Sequence, residues 1–280
     1  MDTQTQTDPP VNPNKVLWEK GDFTRIAEAS MRRSGEALVA TLGITPGLDV
    51  LDLGCGDGTT AVPEAQLGAN VLGVDIAENL VAAGNARAQS FGLDNLRFQQ
   101  GDATDLKDLA DDSFDLVVSI FGAMFAPRPF DVAKEVVRVT RPGGRIVMGN
   151  WIPNDPTFVA QLLRVSTAYS PPPPEGFVSP MTWGIEENVL ERFGAAGIPA
   201  ENVSCERVMF RFEYAGTPAE YLADFRDYYG PTMNAYAAAA ADGRESELHA
   251  ELGALVDEHN VADGDGTVIE AAYLRVTVAV

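Results

Sequence analysis

Between Leu48 and Met148 the chain alternates short apolar runs with stretches of helical spacing. Leu48–Leu53, Val71–Val74, Leu96–Gln99, Phe114–Ile120 and Arg145–Met148 read as strands, and Thr59–Leu67, Glu78–Phe91 and Asp131–Thr140 as the helices between them. Gly68-Ala69-Asn70, Gly92 and Arg141-Pro142-Gly143-Gly144 supply the turns. Phe114–Ile120 is almost continuously apolar, as expected of a strand covered on both faces. Strand and helix alternating at this spacing predict a parallel sheet with crossover helices, a doubly wound α/β domain with helices on both faces.

The flanks follow a different rhythm. Residues 1–14, with Pro9, Pro10 and Pro13, read as a flexible leader, and 15–43 as one N-terminal cap helix. The core, 48–151, gives way at 152–184 to an irregular insertion stiffened by Pro153, Pro156, Pro171–Pro174 and Pro180. A helix over Glu186–Ala196 follows. Val203–Tyr214 and Val268–Val280 alternate branched and aromatic residues as strands do, and residues 217–262 between them read as a helical lid. The expectation is one domain, 15–280, carrying two insertions.

Composition narrows the partners. Against 41 acidic residues stand 20 basic ones, a net charge of -21. Nucleic acid and anionic membrane surfaces are recognised through Lys/Arg clusters, so neither is expected. Nothing in the chain approaches the ~20 apolar residues of a membrane span, and Met1–Asn14 has no signal-peptide pattern; a cytoplasmic protein is expected. Two cysteines and two histidines are too few for a disulfide framework or a structural zinc site, and no metal is expected.

Chemistry concentrates in Asp52-Leu53-Gly54-Cys55-Gly56-Asp57-Gly58, at the carboxyl end of the first strand. Ligands of open α/β sheets bind at that end, glycines let backbone approach them, and the next helix presents free amides. A nicotinamide fingerprint would require glycine at position 59, which is Thr59. The segment resembles the glycine-rich motif of the class I S-adenosylmethionine-dependent methyltransferases. Asp75 closing the second strand, Gly101-Asp102-Ala103 after the third, Phe114–Val118, and Arg141-Pro142-Gly143-Gly144 before the fifth complete that resemblance over about Val50–Asn150.

The resemblance implies a seven-stranded, mostly parallel sheet and S-adenosylmethionine as cofactor. It places Gly54, Cys55 and Gly56 around the methionine portion, with Asp52 beneath the loop near the ammonium. Asp75 would accept from the ribose hydroxyls, Ile76 would pack on the adenine, Asp102 would accept from its amino group, and Ala103 would supply backbone. Backbone at Ser119 and Ile120 would meet the ammonium. The implied reaction is in-line methyl transfer, in which alignment supplies much of the rate and a base is optional.

For the acceptor, Met124 and Phe125 after strand four, Trp151 after strand five, and Tyr221, Phe225 and Tyr228 on one helical face are candidate pocket residues, the last three equally readable as packing under a cap. Trp18 and Phe23 can close over the cofactor or simply be buried. His249 and His259 fall in the late helical segment among glutamates, and no catalytic residue is assigned. The expected acceptor is small, apolar or aromatic, and neutral or cationic. A non-catalytic S-adenosylmethionine-binding sensor or scaffold would keep the same motifs, and a nicotinamide oxidoreductase is disfavoured by Thr59.

Overall fold

The computed structural model describes residues 13–280. Its strands are β1 (Asp49–Leu53), β2 (Asn70–Asp75), β3 (Leu96–Gln100), β4 (Phe114–Ile120), β5 (Thr140–Trp151), β6 (Val203–Tyr214) and β7 (Thr267–Ala279). They form one seven-stranded sheet in the order β3-β2-β1-β4-β5-β7-β6. β1 pairs in parallel with both β2 and β4, whereas β7 runs antiparallel to β5 and to β6. The strand order reverses between β1 and β4, where a crevice opens at the carboxyl ends. Val50, Leu51, Leu116, Val117, Val118 and Ile146 are fully buried, as strands sandwiched between two helical layers must be.

The core helices are α4 (Ala61–Gln66), α5 (Glu78–Ser90), α6 (Pro129–Val139) and α8 (Glu186–Ala195). Phe98 of β3 shows how tightly the layers meet. Its ring fills the space that side chains on Gly58, Gly73 and Gly84 would occupy, with built Cβ atoms 2.7, 2.6 and 2.6 Å from ring carbons.

Four expectations change. The expected leader lies outside the described residues up to position 12, while Pro13 and Asn14 already belong to α1 (Pro13–Lys20). The expected helix 15–43 is three: α1, α2 (Phe23–Ser30) and α3 (Arg32–Val39). The chain turns at Gly21 because backbone is packed there, a Cβ lying 2.1 Å from the Tyr228 carbonyl oxygen. The expected Arg141–Gly144 turn is a register irregularity inside β5, with Phe114 opposite Thr140 and Leu116 opposite Arg145.

The insertion after β5 is also not irregular throughout. It contains α7 (Phe158–Ala168), whose Phe158, Val159, Leu162 and Val165 are buried. Its prolines fall before and after that span, where they do not interrupt helical hydrogen bonds. The segment between β6 and β7 forms α9 (Pro218–Tyr228), α10 (Gly230–Ala241) and α11 (Glu245–His259). α9 starts with a capping box between Thr217 and Glu220. These helices pack on α7, so the two insertions make one cap. Among the described residues no helix is long and apolar enough to cross a membrane.

Candidate functional site

The chain leaves β1 through Gly54, whose amide donates to the Val74 carbonyl at 2.7 Å, and turns back through Gly58, whose amide donates to Cys55 at 3.0 Å. Gly54 and Gly56 both have positive φ, 67° and 56°. Gly56 differs from its neighbours in facing open space: a Cβ there would meet only Phe23 Cδ1, at 3.9 Å. The Gly56 amide donates to Asp75 Oδ2 at 2.8 Å, and Asp75 Oδ1 accepts from Ala77 N at 3.0 Å. The carboxyl ending β2 therefore fixes the loop ending β1. Burial raises its pKa.

Charge behind the loop is unusually acidic. Asp52 is buried, accepts from the Thr60 hydroxyl, and is pushed up to about 7 by loss of solvent. Glu64 on α4 is fully buried, neither carboxyl oxygen has a hydrogen-bond partner among the described residues, and desolvation with the nearby Asp52 charge raises its pKa well above the usual range. Cys55, buried in the same place, is held as a thiol.

Sequence reasoning missed the cationic side of the loop. Arg32 of α3 pairs with both Asp57 carboxylate oxygens, one contact at 3.0 Å, and donates to Thr59 Oγ1 at 2.7 Å. Arg87 of α5 donates to the Asp57 carbonyl at 2.7 Å. α3 sits hard against the same turn, since a Cβ on Gly35 would lie 2.5 Å from the Thr59 carbonyl oxygen. Residues 15–43 read only as a cap helix, and the folded chain is what brings Arg32 against the loop.

A cleft of about 1030 Å³, counting space at its mouth open to solvent, runs along the carboxyl ends of β1, β2 and β4. Gly54, Cys55, Gly56, Asp75, Ile76, Asp102, Ala103 and Ile120 line it, brought together from four separate strand ends. Asp102 Oδ1 accepts from the Thr104 amide at 2.9 Å and hydroxyl at 2.8 Å. Asp52 and Ser119 do not reach the cleft surface. Ser119 is a brace, its hydroxyl donating to Leu53 O at 2.6 Å and accepting from Ala123 N at 2.9 Å.

The other end of the cleft is aromatic. Phe121 holds a φ of 57°, stacks on Trp151 at 3.7 Å and meets Phe210 edge-on at 5.2 Å. Trp18 of α1 contacts Phe125 at 5.0 Å and Phe23 at 5.8 Å. Phe125, Phe121, Phe210, Trp18 and Phe23 all line the cleft.

Of the candidate acceptor residues, only Phe125 does so. Met124 and Trp151 are buried behind this surface, Trp151 supporting Phe121 from the far side. Tyr221 and Phe225 are core residues of the cap, 4.8 Å apart and packed on Phe158. Tyr228 lies under the Arg25 guanidinium at 5.2 Å. Both histidines are remote: His249 Nδ1 is 2.8 Å from the Tyr236 hydroxyl and the His259 ring packs edge-on against Phe158.

The cradle fits S-adenosylmethionine. Gly56 leaves open the volume a side chain would fill, and Asp75, acceptor-only when ionised, presents its carboxyl at the cleft wall. When bound there, the group supplies a methyl already activated by the sulfonium charge.

Residues 51–148 match the methyltransferase domain family. An uncharacterized protein of Mycobacterium tuberculosis is 35% identical over 273 residues, covering 96% of this chain and 94% of that one. The demethylmenaquinone methyltransferase of Renibacterium salmoninarum is 35% identical over 127 residues, 45% of this chain and 50% of that one. Among solved structures, the YcgJ protein of Bacillus subtilis has the same fold, with a TM-score of 0.56 at 21% identity over 88% of this chain and 97% of that one. The chain belongs to the class I S-adenosylmethionine-dependent methyltransferase family.

Proposed function

We propose that this protein transfers a methyl group from S-adenosylmethionine to a small, apolar or aromatic acceptor that is neutral or cationic. One observation carries the reading: the glycine cradle and the aromatic wall are two ends of a single cleft. Gly54, Cys55, Gly56, Asp75, Ile76, Asp102 and Ala103 would hold the cofactor. Phe121, Phe125 and Phe210, with Trp18 and Phe23 from the N-terminal helices, would bind the acceptor and exclude water, and alignment in such a site supplies much of the acceleration. The charge balance supports this acceptor class, since a chain carrying -21 repels polyanions such as nucleic acid.

The test is formation of S-adenosylhomocysteine on incubation with S-adenosylmethionine and a panel of apolar phenols, thiols, amines and ring nitrogens. Turnover that depends on one of them supports the reading. Tight S-adenosylmethionine binding with no turnover across the panel would favour a sensor, and absence of binding would remove the cofactor assignment.

A further inference from the structure

We propose that the acceptor is a planar nitrogen base, neutral at physiological pH, methylated on its ring nitrogen to a cation that the aromatic end of the cleft holds. This rests on the methyltransferase reading and names the substrate class of that same site.

Two observations lead there. First, among the described residues none on the acceptor wall can accept a proton. Trp18, Phe23, Phe121, Phe125, Pro127 and Phe210 form it. The carboxylates that do reach the cleft are committed: Asp57 to Arg32, with Arg87 at 3.9 Å, Asp75 to two backbone amides, Asp102 to Thr104. Cys55 is kept protonated by burial among acidic groups. A phenol, thiol or protonated amine would need such a base or would have to enter already ionised. An acceptor carbon would need one afterwards to lose its hydrogen.

Second, the electrostatics disfavour an anionic acceptor. Asp57, Asp75 and Asp102 line the cleft and no lysine or arginine does so among the described residues. An ionised phenol or thiol would thus enter an apolar, acidic site in which the cofactor's sulfonium is its sole counter-charge among the described groups, and would leave water to do so. A ring nitrogen avoids both difficulties. Its lone pair forms the new N–C bond, the S–C bond breaks with its electron pair left on sulfur, and no proton moves. Positive charge passes from sulfur to nitrogen, so one cation is present throughout. The faces of Phe121, Phe125, Phe23 and Trp18 suit a delocalised cation, an attraction that strengthens where water is excluded.

The experiment is titration calorimetry on the full chain saturated with S-adenosylhomocysteine, using N-methylquinolinium, quinoline and 1-naphthol as probes. The expected result is that N-methylquinolinium binds about tenfold more tightly than 1-naphthol, within the range of desolvated cation–π contacts. Phe125→Leu and Phe23→Leu, which keep apolar bulk and remove the π face, are each expected to weaken N-methylquinolinium binding more than quinoline binding and so to erase much of that preference. Two variants on separate elements guard against one failing to fold. In turnover assays, quinoline is expected to give N-methylquinolinium at a rate whose pH dependence follows quinoline's own protonation.

Equal or tighter binding of 1-naphthol, a preference that survives both leucine variants, or methylation of phenols but not of quinoline would each overturn the proposal. So would absence of transfer to every nitrogen base tested. If S-adenosylhomocysteine itself fails to bind, the methyltransferase reading fails; if it binds and the quinolinium does not, only the nitrogen acceptor is lost.

Discussion

The backbones of Gly54 and Gly122 lie in direct contact, so that a Cβ on Gly54 would stand 2.6 Å from Gly122 Cα and one on Gly122 would stand 2.4 Å from the Gly54 carbonyl oxygen. This closes the turn after β1 on the turn after β4, which brings the cofactor end of the cleft to its aromatic end. Gly54 is thus required by packing, whereas Gly56 faces the cleft. The two positions should separate on mutation. Gly122→Ala is expected to cost about 1–3 kcal/mol of stability, as overpacking does, seen as a lowered Tm. Gly56→Ala should cost only the ~1–2 kcal/mol of a left-handed backbone yet weaken S-adenosylmethionine binding far more. Normal binding by the Gly56 variant in calorimetry would remove that residue from the cradle.

Asp75 joins the loop to β2 through the Gly56 amide and faces the cleft. Asp75→Ala should weaken cofactor affinity by about 1.5–3 kcal/mol, the range for hydrogen bonds to a charged group. Circular dichroism should be unaltered. Unchanged affinity in calorimetry would take this carboxylate out of the site.

Arg32 neutralises Asp57, whose side chain is only 4% exposed. Removing one member of a buried pair is strongly destabilising, and Arg87, 3.9 Å from Asp57 Oδ2, would compensate only in part, so Arg32→Met should cost up to about 3–5 kcal/mol. Because the same contact anchors the glycine loop, cofactor affinity should fall with it. Adding Asp57→Asn should recover much of the stability, and a double-mutant cycle by chemical denaturation measures the coupling. Strict additivity of the two changes would mean that the pair contributes nothing.

Asp52 and Glu64 predict an unusual pH dependence. In the folded chain Asp52 titrates at about 7 against an ordinary 3.8, and Glu64 is also raised, so between those values the native state keeps protons that the unfolded chain has lost. Stability should therefore fall as pH rises through this window and level off once the native groups ionise. Among the described residues Glu64 has no hydrogen-bond partner to lose. Glu64→Met should raise the Tm at neutral pH and flatten its slope between pH 5 and 8, because it replaces a buried carboxyl that has no partner among the described residues with apolar volume and removes the proton uptake. A Tm that drops on this substitution would show that the carboxyl is held by contacts that stabilise it.

The order of strands and helices through Met148, and the loop at Asp52–Gly58, were legible in the chain because each depends on local rules. Buried parallel strands read as apolar runs, and a sharp turn at a strand end needs glycine. β4 and β6 lie where the apolar pattern put them, at Phe114–Ile120 and Val203–Tyr214. The cap was less legible. Proline density suggested irregularity from 152 to 184, but α7 fits between the prolines, and one apparent helix at the N-terminus is cut at Gly21 by the carbonyl of Tyr228. Such breaks depend on contacts between residues distant in sequence, which spacing does not record.

The same division holds for the site. Sequence alone determined which strand ends bear the glycines and the aspartates, because topology carries those ends to one crevice. Only tertiary structure decided which aromatic rings line the cleft. Tyr221 and Phe225 repeat with helical period and fill the cap, while Phe121 and Phe210, from β-rich segments nearly ninety positions apart, meet edge-on at 5.2 Å. Periodicity shows that a face is apolar. What covers that face, other side chains or a ligand, is fixed by how the elements pack.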